Sequence, residues 1–242
     1  GSLIPDATGF TKTFTDVADE RGVNLWNENK EIKVYWSGGI DSTVALVSLL
    51  KSKPSDWHDR LKVIYTDSSI EEYSLIWNNY IDGKVQTEKV VELGKDPNKY
   101  YMDKPFFSPV LKHIKDNLDT GISVTGECGD QLFGSSGFAN HFKLLEMTVD
   151  KFLEERYPNN IDEIKLFNSK CPYTISSIED LLWWWNFSLK WDEVSYRALS
   201  LVKNKNYLAN SRPFFRTDDF QKWSISNPNK KIKDTLESYK FT

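Results

Sequence analysis

A seven-residue stretch, Ser37-Gly38-Gly39-Ile40-Asp41-Ser42-Thr43, constrains this chain more than any other. It follows Ile32-Lys33-Val34-Tyr35-Trp36, a short run rich in β-formers that predicts a strand. It precedes residues 44–51, a run without Gly or Pro that predicts a mostly buried helix. Such a strand–loop–helix junction leaves the first amide N–H groups of the helix without intrahelical partners, and an anion can receive them. Gly38 and Gly39 let the backbone approach a ligand with no Cβ in the way. Ser37, Ser42 and Thr43 add hydroxyls. Asp41 is the odd member, because a carboxylate repels a phosphate unless a cation lies between them. That combination points to Mg²⁺ bridging Asp41 and a polyphosphate. The alternative is a capped helix behind a glycine turn that binds nothing.

The surrounding pattern predicts where such a loop would sit. Residues 61–66 read as a second strand. Residues 70–81 read as a helix, with Ile70, Tyr73, Ile76, Trp77 and Tyr80 at helical spacing. A third strand is expected in 84–93, a helix over 108–118 and a buried strand over 121–125. This alternation predicts an α/β fold, a parallel sheet flanked by helices with right-handed crossovers. Ligands of such sheets lie at the carboxyl ends of the strands. Both 37–43 and 66–69 fall at such ends. So does a second glycine-rich acidic loop, Gly126-Glu127-Cys128-Gly129-Asp130-Gln131-Leu132-Phe133-Gly134.

No Gly-Lys-Ser/Thr follows the first loop, so it is not a Walker loop. It resembles the PP-loop, Ser-Gly-Gly-x-Asp-Ser, of the ATP pyrophosphatase (adenine nucleotide α-hydrolase-like, HUP-like) superfamily, whose members cleave ATP between the α and β phosphates. Met102-Asp103-Lys104-Pro105-Phe106 and Val124 through Gly134 sharpen the resemblance to the asparagine synthetase family. That family carries Asp-Glu-Pro-Phe and Ser-Gly-Glu/Asp-Gly-x-Asp-Glu-Leu-Phe-Gly-Gly-Tyr. Ser211-Arg212-Pro213-Phe214-Phe215 resembles its later Arg-Val-Pro-Phe-Leu segment.

The resemblance implies an ATP-dependent ligase that adenylates a carboxylate or amide-like substrate, releases pyrophosphate and forms an amide with ammonia or an amine. Ser37, Gly38, Gly39, Ser42, Thr43 and Gly126 would hold ATP and its pyrophosphate. Asp41 and Asp130 would share Mg²⁺ with that pyrophosphate, and Glu127 would stand by the acyl-adenylate or move a proton. Thr66 or Asp67 would contact the base or ribose, unless Asp67 or Ser69 simply caps the next helix. Lys230 and Lys231 are the candidates for the family's catalytic lysine. Gln131 departs from the family's acid, and Ser135-Ser136 from its Gly-Tyr. A neutral amide at 131 takes no part in charge compensation, so different substrate or metal handling is expected. The family's glutaminase domain is not found, which leaves a separate glutaminase subunit as a candidate partner.

The expected organisation is a lead-in over 1–30, an ATP-binding core over 31–157 and a mainly helical substrate-side region over 158–242, within one domain. Helices are expected over 138–156, 161–168 and 176–203. Leu181-Leu182-Trp183-Trp184-Trp185-Asn186-Phe187 reads as a core or interface helix rather than a ligand-stacking face. The net charge of −4 gives no basic excess for non-specific nucleic-acid binding. No signal-peptide pattern and no membrane span are read, so a cytoplasmic protein is expected. Cys128 and Cys171 have no metal-site spacing and read as reduced thiols. Two rival functions remain: a nucleobase- or tRNA-modifying adenylating enzyme, and a non-catalytic nucleotide-binding module.

Overall fold

Strand β1 (Ile32–Tyr35) is buried at every position and lies at the centre of a five-stranded, wholly parallel sheet of order β3-β2-β1-β4-β5. The other strands are β2 (Leu61–Tyr65), β3 (Gln86–Lys89), β4 (Ile122–Thr125) and β5 (Ser211–Pro213). The computed structural model describes residues 4–92, 109–134, 147–202 and 206–230, with only the backbone at 195–202 and Lys230. Covered on both faces, the central strands read as apolar runs. Even Lys33 is buried, its ammonium donating to the carbonyl of Thr120 at 3.1 Å and to that residue's hydroxyl.

The chain divides into two compact units. The sheet unit comprises Lys12–Glu127 and Val194–Arg216. Its first helix, α1 (Phe14–Trp26), begins with a Thr13/Asp16 capping box and was not expected in the lead-in. It buries Val17, Ala18, Leu25 and Trp26 together with Gly22. A Cβ on Gly22 would stand 2.6 Å from the Ser48 carbonyl oxygen of α2 (Ile40–Lys51), so glycine permits the close helix crossing. Trp26 then donates its indole N–H to the Leu49 carbonyl at 3.0 Å.

Helix α3 (Trp57–Arg60) leads into β2. The helix expected over 70–81 is broken. Helix α4 (Asp67–Glu72) starts early, because Thr66 caps it and Ser69 closes the capping box. Tyr73 then leaves helical geometry (φ −144°, ψ 65°), and the chain resumes as α5 (Ser74–Ile76) and a π turn (Trp77–Ile81). Two separate anchors account for the break: α4 rests on Gly38, whereas Trp77 packs on Tyr65 with ring centroids 4.3 Å apart. Helix α6 (Pro109–Asp116) precedes β4. The opposite sheet face buries Tyr35, Ile64, Ile114, Leu118 and Tyr207, the last from α11 (Asn206–Asn210).

The helical unit comprises Gly1–Thr11, Cys128–Glu193 and Thr217–Thr242. It contains α7 (Gly129–Phe133), α8 (Val149–Arg156), α9 (Ile161–Asn168), the first part of α10 (Ile178–Val202) and α12 (Asp218–Ser226). The helix expected over 138–156 is described only from Val149, with Thr148 as its N-cap. Trp183, Trp184 and Phe187 are buried together, so the tryptophan run is core. No helix among the described residues is long and apolar enough to cross a membrane.

Candidate functional site

Strand order reverses beside β1: β2 and β3 extend one way, β4 and β5 the other. In open parallel sheets this switch point leaves a crevice at the carboxyl ends of the two central strands. The loop after β1 is 36–39, and the loop after β4 begins at Gly126.

The first loop is held by its own hydroxyls. Ser42 Oγ accepts from the Ser37 amide at 3.0 Å and donates to the Gly39 carbonyl at 3.0 Å. The Ser37 hydroxyl lies 3.0 Å from Ser42 Oγ and accepts from the Gly39 amide at 3.2 Å. Ser42 is thus a buried strut, whereas Ser37 is exposed. Thr43 is also buried, and its Oγ1 accepts from the Trp36 indole N–H at 2.9 Å. Gly39 is the N-cap of α2 and has no side chain to cap it, and Asp41 sits in the first turn. The start of a 12-residue helix is therefore presented by a glycine, the backbone setting in which anions bind.

Close backbone approach explains two glycines. Gly38 has φ +83°, and a Cβ there would stand 2.3 Å from the Ser69 carbonyl oxygen. A Cβ on Gly126 would stand 2.6 Å from the Ser42 amide nitrogen and 2.9 Å from the Asp41 carbonyl carbon. The end of β4 is thereby pressed against the first turn of α2. One residue that the sequence reading missed also reaches this loop: a Cβ on Gly39 would stand 3.2 Å from Glu72 Oε1. The capped start of α4 and its end at Tyr73 place Glu72 there.

Thr66 and Asp67 have structural partners. Thr66 Oγ1 accepts from the Ser69 amide at 3.2 Å, so Thr66 is the cap rather than Asp67 or Ser69. Asp67 pairs with Lys89 at 2.7 Å. Glu127 is half-buried and accepts from the Thr125 hydroxyl at 3.4 Å.

Asp130 belongs to the helical unit, where its side is exposed at the start of α7. Cys128, the residue before that helix, has φ 74° and is 1% exposed. The family pattern has a glycine here, which takes positive φ without strain. Gln131 is buried and donates to Asn186 Oδ1 at 3.1 Å, and Asn186 in turn donates to the Asp130 carbonyl at 2.7 Å. Of Lys230 only the backbone is described, in a 3₁₀ turn (Pro228–Lys230), and Lys231 and the 102–106 motif lie outside the described residues.

The Arg212 segment is structural. Arg212 forms a bidentate pair with Glu28 (2.8 and 3.0 Å). Arg21 donates to the Phe214 carbonyl at 3.1 Å, and burial pushes its guanidinium down to about 10.

Mg²⁺ takes oxygen donors, and binds through one or two carboxylates together with phosphate and water. Asp41 with the loop hydroxyls is a donor set of that kind. Among the described residues no group of three or more His, Cys, Asp or Glu gathers. No family model matches the chain, and no curated protein matches it.

Proposed function

We propose that this chain is a PP-loop ATP-dependent synthetase of the asparagine synthetase type, an amide-forming ligase that yields AMP and pyrophosphate. The observation that carries the reading is the contact of Gly126 with the first turn of α2 at the switch point of the sheet. It brings Gly126, the first residue of the second glycine loop, against the first, as the motif resemblance requires. An accidental glycine turn has no reason to meet a second one there.

In this reading the backbone of 38–42 and the Ser37 hydroxyl bind the pyrophosphate part of ATP, aided by the helix dipole. Asp41 is the first carboxylate for Mg²⁺, and Asp130 is kept as the second on its motif alone. A bound Mg²⁺ supplies neutralisation of the charge that develops on the leaving pyrophosphate. A substrate carboxylate oxygen attacks the α-phosphorus and the bond to the β-phosphate oxygen breaks. A nitrogen nucleophile then attacks the acyl carbon, AMP leaves and the nitrogen gives up a proton. Glu127, beside Gly126, is suited to accept that proton. Thr66 and Asp67 shape the base side of the cradle through the capped start of α4. Lys230 and Lys231 remain candidates for stabilising pyrophosphate.

The test is incubation with Mg-ATP and a panel of carboxylates, with and without ammonia, followed by separation of nucleotides. AMP and pyrophosphate are expected in equal amounts and only with a matching carboxylate. ADP and phosphate, or no turnover with any substrate by folded protein, would contradict the reading.

A further inference from the structure

Glu72 brings a carboxylate onto the first glycine loop, and both lie within the sheet unit. The backbone beneath it is fixed from two sides. Thr66 and Ser69 close the capping box that starts α4 at the end of β2. The Ser69 carbonyl then packs on Gly38, where a Cβ would stand 2.3 Å from that oxygen and 2.9 Å from Glu72 Cβ. Glu72 is exposed, so its outer torsions keep their freedom while its Cβ does not move. Its Oε1 and the Ser37 hydroxyl oxygen each stand 3.2 Å from the point that a Cβ on Gly39 would take. The carboxylate therefore borders the same spot as the hydroxyl that the synthetase reading gives to pyrophosphate.

Nothing in α4 itself calls for an acid at this position. Glu72 is the last residue of that helix, and its last turn holds no basic residue. The C-terminal end of a helix disfavours a carboxylate. The N-terminal end of α2, capped by Gly39, is by contrast a setting that attracts anions. A carboxylate held beside that end repels a bare phosphate arriving there, since like charges a few ångströms apart oppose each other. A phosphate that arrives with a divalent cation has its charge offset and meets far less repulsion.

We propose that Glu72 is a specificity-determining residue of the phosphate loop. It makes the loop refuse metal-free polyphosphate and accept the same group with a divalent cation bound. This deepens the synthetase reading and rests on its phosphate loop. Asp41 and Glu72 then have separate tasks: Asp41 holds the cation, and Glu72 turns away nucleotide that lacks one.

The test is calorimetric titration of ATP in excess Mg²⁺, and of ATP and inorganic pyrophosphate in EDTA, into parent, Glu72→Gln and Glu71→Gln. The two variants lose the same charge from neighbouring positions, and thermal melts check that both are folded. Glu72→Gln should bind metal-free ATP and pyrophosphate about tenfold more tightly than the parent, a modest effect because the carboxylate is exposed. Its Mg-ATP affinity should change much less, so the preference for Mg-ATP over free ATP falls about tenfold. Glu71→Gln should keep the parent's preference. A merely structural role for Glu72 would weaken both forms together and leave the ratio alone. Glu72→Gln with no gain in metal-free binding, or an equal change of the ratio in Glu71→Gln, overturns the filter and leaves the synthetase reading standing. A parent that binds neither form of ATP overturns both.

Discussion

Gly126 meets Ser42 so closely that a Cβ would stand 2.6 Å from the serine amide nitrogen. This contact joins the end of β4 to the start of α2. Both neighbours are backbone, which cannot rotate away. Gly126→Ala is therefore expected to push the two loops apart. A stability loss of about 1–3 kcal/mol is expected by urea unfolding, the range of overpacking in a fitted site. Mg-ATP binding should fall with it. An alanine variant with parent stability and parent ATP affinity would show that the two loops have room to spare.

Thr43 separates a structural role from a binding one. Its hydroxyl accepts from the fully buried Trp36 indole at 2.9 Å. Thr43→Val keeps the shape and strands that N–H, which costs about 1–3 kcal/mol. Chemical denaturation measures it. Thr43→Ser keeps the acceptor and should recover most of the loss.

Cys128 occupies a left-handed conformation, φ 74°, that non-glycine residues adopt with strain. Cys128→Gly relieves the strain but loses a buried side chain. Cys128→Val adds a β-branch where it is least tolerated. The valine variant is expected to be less stable than the glycine variant by at least about 1 kcal/mol. Equal thermal stability of the two would mean that the backbone there relaxes without effort.

Acid should loosen α6. His113 Nε2–H donates to Glu88 Oε1 at 2.8 Å, and the Tyr35 hydroxyl donates to Nδ1 at 3.0 Å. The hydrogen bond from His113 holds the Glu88 carboxyl below its ordinary value of 4.5, with the nearby charge of Lys62 assisting. Burial pushes the Tyr35 phenol upward, so it stays protonated and a donor. A carboxylate whose folded pKa is depressed contributes stability above its unfolded pKa and loses it as pH falls through the folded one. Glu88 is 40% exposed, so solvent limits the effect to at most about 1 kcal/mol. In Glu88→Gln, that share of the stability loss below 4.5 should vanish from a series of denaturant curves.

The strand–loop–helix at 37–43 was legible in the sequence because a short β-rich run, two glycines and an uninterrupted apolar helix are local signals. Residues 161–168 were legible as a helix for the same reason. Strand β5 was not, since three residues ending in proline make a strand only because β4 offers them a parallel edge. Helix α1 was missed because its buried residues, Val17, Ala18, Leu25 and Trp26, are interleaved with polar ones, and Gly22 at the helix crossing carries no hydrophobic signal. Gln131 was read as a change in charge, and its burial against Asn186 depends on a residue 55 positions away. Contacts of that separation leave no trace in local periodicity.

The central claim is that Asp41 serves a metal at a nucleotide phosphate. Its most direct test is calorimetric titration of ATP into folded Asp41→Asn and parent protein, each with and without Mg²⁺. The account predicts Mg²⁺-dependent binding by the parent, weakened about tenfold or more in Asp41→Asn, with metal-free binding no weaker than the parent's. Undiminished Mg²⁺-dependent binding by the folded variant, or no binding by the parent, would contradict it.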